Sequence, residues 1–171
     1  MPYARFICRP FVVRGKRLVA YGQGLTTGVG CRLEDFAVND DKHKRIVFGN
    51  NVQINDYVHI SAIKKVDIGD NVLMASHVYI SDNSHGQDKG VEGNTAPSVP
   101  PIKRPYFVAP VKIGNNAWLG EGVIVMPGVT IGDGCVIGAL NKDILANIVA
   151  VGSPAKIVKK YNENLKVWEK V

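Results

Sequence analysis

No apolar run in this 171-residue chain approaches the roughly 18 residues that a membrane-spanning helix needs. No signal-peptide pattern opens it, so the cytoplasm is the expected compartment. There are three cysteines, Cys8, Cys31 and Cys135, and none has disulfide-framework or zinc-site spacing. Aromatic residues make up only 8% and do not interleave with the basic residues, although the net charge is +6. That argues against a nucleic-acid surface and leaves solubility or an anionic ligand as the meaning of the charge. With charged residues at 21% and hydrophobic residues at 46%, the chain is globular rather than disordered. Its length suits one domain over residues 1–171.

What is present in quantity is a period of six. Residues 113–142 read I-G-N-N-A-W, L-G-E-G-V-I, V-M-P-G-V-T, I-G-D-G-C-V, I-G-A-L-N-K. Each block opens on an aliphatic residue, and four of the five carry Gly second. Six fits neither the 3.6-residue helix nor the two-residue strand. It fits a coil that turns a corner every six residues, the signature of a parallel β-helix. Strand alternation sends block positions five and one inward and positions six and two outward. Positions three and four turn the corner, where Asn, Asp, Gly and Pro stand. Three blocks close one triangular coil, and stacked coils bury an apolar centre. Cys31 and Cys135 fall on inward fifth positions and read as small core fillers.

The same phase is present upstream. Blocks open at Tyr21, Thr27 and Leu33, at Phe48, Ile54 and Ile60, and at Ile68, Met74 and Ile80. Each interruption follows a third block, so every insertion leaves from one edge of the prism. About five coils result: 21–38, 48–65, 68–85, 113–130 and an imperfect 131–148, with a long loop at 86–112. Residues 1–20 are expected as a cap or short strands over the open end. Residues 149–171 are expected as a basic tail ending in a short helix, with Leu165 and Trp168 on one face.

Few residues could carry chemistry. His43 lies in a charged break, His77 at a corner, and His59 and His85 at outward sixth positions. His85 stands out: it ends the third coil inside I-S-D-N-S-H-G, with Asp82 near enough to orient an imidazole and Gly86 releasing the chain. An imidazole is the usual general base near neutral pH. Trp118 is a large aromatic at an outward position, and Asn55 shares its face two coils away. His85 leaves from a different face. These groups cannot meet within one prism; they meet only if prisms pack side by side, as in a three-fold oligomer.

The hexapeptide blocks, I-S-D-N-S-H-G, the loop after it and V-G-S-P-A-K-I-V-K-K together resemble the hexapeptide acyltransferases. The resemblance spans roughly residues 20–165. It is strongest to the sugar and polysaccharide O-acetyltransferases, which include the galactoside, maltose and lipopolysaccharide O-antigen enzymes. It implies a left-handed parallel β-helix, a cytoplasmic homotrimer, acetyl-CoA as co-substrate, no metal, and a sugar-containing acceptor in polysaccharide biosynthesis. It places the catalytic base on His85 and the acceptor contact on Asn55. The tryptophan of the thiol channel falls on Trp118, and the backbone along the pantetheine arm on Gly120, Glu121 and Ala139. Basic residues for the coenzyme phosphates fall on Lys142, Lys156 and Lys159. The implied chemistry is direct transfer, with an oxyanion held by backbone N–H near Gly120 and Glu121. Where the family reads I-G-A-G-S-V-V-T-K-D-I-P, this chain reads the shorter I-G-A-L-N-K-D-I-L.

Three other readings remain at this point: a serine or other small-molecule acetyltransferase of the same fold, a metal enzyme resembling the γ-class carbonic anhydrases, and a non-enzymatic scaffold. The metal reading needs three histidines around one zinc, and His59, His77 and His85 are the available set. The scaffold reading explains the repeat but not I-S-D-N-S-H-G, the outward Trp118 or the basic tail.

Overall fold

The computed structural model describes residues 3–15, 17, 19–36, 43–86, 95–138, 145–151, 156–162, 164–165 and 167–171. It is a left-handed parallel β-helix. The chain makes β1 (Phe6–Ile7), β2 (Val12–Arg14) and β3 (Val19–Tyr21), then β4 (Thr26–Thr27), β5 (Arg32–Asp35) and β6 (Ile46–Phe48). The next turn is β7 (Gln53–Ile54), β8 (His59–Ala62) and β9 (Val66–Ile68). After β10 (Leu73–Met74) and β11 (Tyr79–Ser81) comes an excursion, β12 (Asn83–His85) and β13 (Tyr106–Val108), before β14 (Val111–Ile113). Then follow β15 (Trp118–Leu119), β16 (Ile124–Val125), β17 (Thr130–Ile131), β18 (Val136–Ile137), β19 (Ile148–Val151), β20 (Lys156–Asn162) and β21 (Val167–Lys170).

Up to β18, and leaving out the β12–β13 excursion, every third strand stacks on its predecessor. Sheet I runs β1-β4-β7-β10-β15-β18-β19-β20-β21, sheet II runs β2-β5-β8-β11-β16, and sheet III runs β3-β6-β9-β14-β17. Through β17 the insertions leave from the edge between sheets II and III, as the phase of the interruptions requires. The inward set is buried as the period dictates: Ile54, Ile60, Met74, Ile80 and Leu119 at first positions and Val52, Val58 and Val123 at fifth positions are all 0% exposed.

The corners have their own chemistry. At the corners from sheet III to sheet I and from sheet I to sheet II, fourth-position residues take the left-handed conformation, among them Asn51, Asn71 and Asn116 at φ 54°, 56° and 56°, which asparagine tolerates better than most residues. At the corner from sheet III to sheet I these asparagines form a ladder. Asn51 Nδ2 donates to Asn71 Oδ1 at 3.3 Å and Asn71 Nδ2 to Asn116 Oδ1 at 3.1 Å. Third-position side chains accept backbone N–H groups from the coil before: Asn50 N to Asp70 Oδ1 at 2.6 Å, Asp70 N to Asn115 Oδ1 at 2.8 Å. Orphaned corner amides are thereby satisfied. Gly at the second position is forced here. A Cβ on Gly114 would lie 2.7 Å from the Asp133 backbone nitrogen and 2.3 Å from its Oδ1.

Both ends differ from the sequence expectation. Residues 6–14 do not merely cover the solenoid: β1 pairs in parallel with β4 and β2 with β5, so they are strands of the prism itself. The segment around Leu165 and Trp168 is not helical. β20 and β21 form an antiparallel hairpin laid on β19 at the end of sheet I. An exposed, unpaired edge on β19 would otherwise remain, and strand addition satisfies it where a helix would not. The shortened fifth coil has its own consequence: β19 stacks directly on β18 in sheet I.

The register makes a direct demand. Leu119→Ala, at a 0% exposed position, should lower unfolding free energy by about 2–5 kcal/mol. Lys112→Ala, on an outward position of β14, should change it by less than about 0.5 kcal/mol. Urea denaturation checks both, and equal losses would contradict the assigned facing of the strands.

Candidate functional site

An open cleft of about 430 Å³ lies over sheet II. Two rows of side chains cross this sheet, and His59, Tyr79, Glu34, Ser61 and Ser81 among them line the cleft. Arg32, His59, Tyr79 and Ile124 stand opposite one another across β5, β8, β11 and β16. Two residues further along, Arg14, Glu34, Ser61 and Ser81 form a parallel row. The excursion after β11 builds one wall. β12 and β13 pair antiparallel, setting His85 opposite Tyr106, with ring centroids 4.7 Å apart. Phe36 and Met126 complete the rim.

His85 is exposed and lines this cleft. The hairpin that carries it is anchored through Asn83. Its backbone N–H donates to Ser81 Oγ at 3.1 Å, Ser81 Oγ donates to Asn83 O at 2.8 Å, and Asn83 Nδ2 reaches Ser61 Oγ at 3.3 Å. Asp82 has a different role from the one its position suggests. It is 0% exposed, and its carboxylate accepts the backbone N–H groups of Ile63, Lys64 and Lys65 at 2.8, 2.6 and 2.6 Å. It braces the corner after β8 and does not orient His85. A buried carboxylate must be satisfied in this way, so its oxygens are already committed.

Trp118 and Asn55 do not line the cleft. Trp118 is 49% exposed on β15 of sheet I, and Asn55 follows β7 of the same sheet. They share a face, and that face is not the one His85 borders. Gly120 and Glu121 sit just past β15, at the corner between sheets I and II. The Gly120 N–H already donates to Ile137 O at 2.8 Å, which removes it as an oxyanion donor. Ala139 and Lys142 lie outside the described residues. Lys156 and Lys159 are exposed on β20, beyond the last turn of sheet I. A register shift in the β19–β20 pairing inserts one residue between them, which brings these two lysines onto one face despite their spacing of three.

The three histidines of the metal reading are apart in their partners. His59 bonds Glu34, His77 stacks on Tyr57 with ring centroids 5.2 Å apart, and His85 meets Tyr106. Among the described residues no three His, Cys, Asp or Glu side chains form a metal-holding group. Cys31 and Cys135 are buried, and each donates its thiol to a backbone carbonyl, Asn55 O and Leu145 O. Burial pushes both thiols above their ordinary pKa, which suits core fillers and not nucleophiles.

Sequence reasoning passed over Glu34. It is 2% exposed and its carboxylate gathers two arginines and an imidazole. His59 Nε2 is 2.7 Å from Oε2 and Arg32 Nη2 is 2.9 Å from the same oxygen. Arg14 Nη1 lies 3.1 Å from Oε1, at ion-pair distance but off hydrogen-bond alignment. The signal was available in the repeat. Second positions on sheets III and I are mostly Gly, whereas those on sheet II are Glu34, Ser61, Ser81 and Met126.

A family model described as bacterial transferase hexapeptide (six repeats) matches residues 110–140. The chain is 43% identical over 169 residues to a putative lipopolysaccharide biosynthesis O-acetyl transferase, WbbJ, of Escherichia coli, across 97% of this chain and 84% of that protein. It is 37% identical over 121 residues to the galactoside O-acetyltransferase of Escherichia coli, across 69% of this chain and 55% of that protein. Among solved structures, a galactoside acetyltransferase in complex with coenzyme A superposes with a TM-score of 0.54 at 27% identity, covering 94% of this chain and 72% of that one.

The Glu34 cluster predicts a pH dependence. Burial alone would raise its pKa, but the hydrogen bonds from His59 and Arg32 outweigh burial and hold it below the ordinary 4.5. A lowered folded-state value stabilises the fold above the unfolded pKa and is lost as pH falls through the folded one. The melting-temperature margin of the wild type over Glu34→Gln should therefore be full at neutral pH and shrink below about pH 4.5. A margin that stays constant down to pH 3 would show that Glu34 is not held ionised by its partners.

Proposed function

This chain belongs to the bacterial hexapeptide-repeat transferases, and from that premise we propose that it moves an acetyl group from acetyl-CoA to a hydroxyl of a sugar or polysaccharide precursor. It is an acyltransferase. The observation that carries the sugar reading is the similarity along nearly the whole chain to an O-acetyl transferase of lipopolysaccharide biosynthesis. The coenzyme A complex of a related galactoside acetyltransferase supports the donor.

His85 is the general base. It takes the proton of the acceptor hydroxyl, whose oxygen attacks the thioester carbonyl. The tetrahedral intermediate collapses with cleavage of the carbon–sulfur bond, and the imidazolium returns its proton to the leaving thiolate. Tyr106 sets the imidazole plane by ring contact, and the β12–β13 hairpin fixes its height over sheet II. No covalent enzyme intermediate is required, because base, hydroxyl and thioester meet in one ternary complex. Glu121 N–H is the remaining candidate of the original pair for the oxyanion.

The active unit is a homotrimer. Sheet II of one chain, with His85, faces sheet I of the next, with Trp118 and Asn55. Two features support this: Trp118 and Asn55 sit on a face that His85 cannot reach in its own chain, and Trp118, Tyr57 and Ile124 leave 49%, 54% and 49% of their surface exposed. Such closed three-fold packing presents three equal clefts. Chain order is also order along the solenoid axis. The thioester therefore sits beside His85, Trp118 and the Gly120–Glu121 corner follow along the pantetheine arm, and Lys156 and Lys159 meet the nucleotide phosphates as point charges. The donor is co-substrate, and no step calls for a metal.

His85→Ala should lower thiol release from acetyl-CoA, in the presence of an accepting sugar, by about 10²–10⁴-fold. The melting temperature should be unchanged, because the side chain is exposed. Full turnover in the variant would refute the general-base assignment.

A further inference from the structure

The floor of the cleft holds an arrangement that the acetyl-transfer reading does not use. His59 lies in the outer row of sheet II, its imidazole 5.1 Å from the Tyr79 ring and its Nε2 2.7 Å from Glu34 Oε2. Its side chain is 27% exposed, whereas the Glu34 side chain is 3% exposed. The pair is therefore layered. The carboxylate lies beneath, closed off by Arg14, Arg32 and His59, and the imidazole lies above it as part of the cleft lining.

Burying a carboxylate on a solenoid face is unfavourable unless its charge is met. The neighbouring members of its row, Ser61 and Ser81, show that a small neutral side chain fits there. Glu34 is not needed to fill space. What it does is fix His59. With Nε2–H donated to the carboxylate, the ring is held in one orientation, and the second ring nitrogen is left as a hydrogen-bonding edge. The remaining surroundings are those of a polyhydroxylated ring. Tyr79 and Tyr106 offer aromatic faces, Asn83 and the serines offer small polar groups, and His85 closes one end.

We propose that His59, held in place by Glu34, binds a second hydroxyl of the sugar acceptor while His85 activates the first. This rests on the sugar-acceptor reading above. His59 is then a specificity-determining residue, because a site built to hydrogen-bond a hydroxyl rejects an analogue that lacks it. Glu34 acts only through His59 and is a positioning residue. The acceptor lies along sheet II from β11 toward β5, on the opposite side of His85 from the coenzyme, and this half of the cleft comes from a single chain.

The test uses the full-length protein, acetyl-CoA, thiol detection, and the methyl glycosides of galactose, glucose, N-acetylglucosamine and mannose with their monodeoxy analogues. His59→Ala should raise the KM of the best glycoside about 3- to 10-fold, the scale of one lost hydrogen bond between uncharged partners. The KM for acetyl-CoA should stay within about twofold, as expected when only acceptor binding is lost. One deoxy analogue should show the same KM penalty with the wild type and no further penalty with His59→Ala, the non-additivity of two changes at one contact. His59→Gln should recover part of the loss, and Glu34→Gln should raise the acceptor KM by less than His59→Ala does. An unchanged glycoside KM in His59→Ala overturns this inference, as does an equal rise in both substrates' KM or full additivity with every deoxy analogue. If the wild type releases thiol with none of these glycosides, the sugar-acceptor reading falls and takes this inference with it. If Glu34→Gln does not fold, the His59 variants and the deoxy cycle still decide.

Discussion

The corner between sheets III and I admits no side chain at the second position of a block. A Cβ on Gly49, Gly69 or Gly114 would approach the backbone of the next coil at 2.7–2.8 Å, closer than atoms there can stand. This constraint sets the coil spacing and the parallel register, and the asparagine and aspartate ladders then satisfy the corner amides. The edge between sheets II and III carries no such restriction, because the chain leaves the prism there after β5, β8 and β11. Side chains at second positions on sheet II therefore survive. Glu34, Ser61 and Ser81 occupy them, and the excursion at the same edge delivers Asn83 and His85 above them. One steric rule thus explains both where the solenoid is uniform and where it can hold a polar site.

The same geometry separates the site's parts. His85 belongs to the hairpin at the edge of sheet II, whereas Trp118 and Asn55 belong to sheet I. A triangular prism cannot bring two of its faces together. Convergence on one site would take a second chain, which the proposed trimer supplies. In the proposed arrangement the coenzyme and acceptor divide the cleft by height, with the lysines of β20 at one end and the Glu34–His59 pair at the other.

Much of this was legible in the period of six. The phase located the inward residues, the corners and the edge of insertion, but it counted His85 as an outward sixth position of the third coil, whereas the chain leaves the prism after β11 and His85 stands on the β12–β13 hairpin. Glu34 was hidden because the repeat was read along the chain and not compared face by face. Asp82 was misread because adjacency to His85 in sequence implied contact. Its carboxylate instead turns inward to three backbone amides of the preceding coil, a partner set distant in sequence. The last ten residues have helical spacing of Leu165 and Trp168, but the open strand β19 offers unpaired backbone groups. Tertiary pairing overrides local preference there, and a hairpin forms. At the other end, β1 and β2 lack the clean hexapeptide phase yet still pair with β4 and β5, because parallel stacking asks for backbone geometry first and side-chain pattern second.

The account depends most on the site being completed between chains, and chain mixing tests that directly. In the proposed trimer, His85→Ala and Asn55→Ala should each impair every cleft of their own assembly. Refolded together in equal amounts, they must generate some clefts that pair an intact His85 from one chain with an intact Asn55 from its neighbour. Thiol release from acetyl-CoA with an accepting sugar should then rise above that of either variant alone, while each variant refolded by itself stays low. No recovery from the mixture, with native mass spectrometry showing that mixed oligomers have formed, would contradict a shared site and place the reaction within one prism.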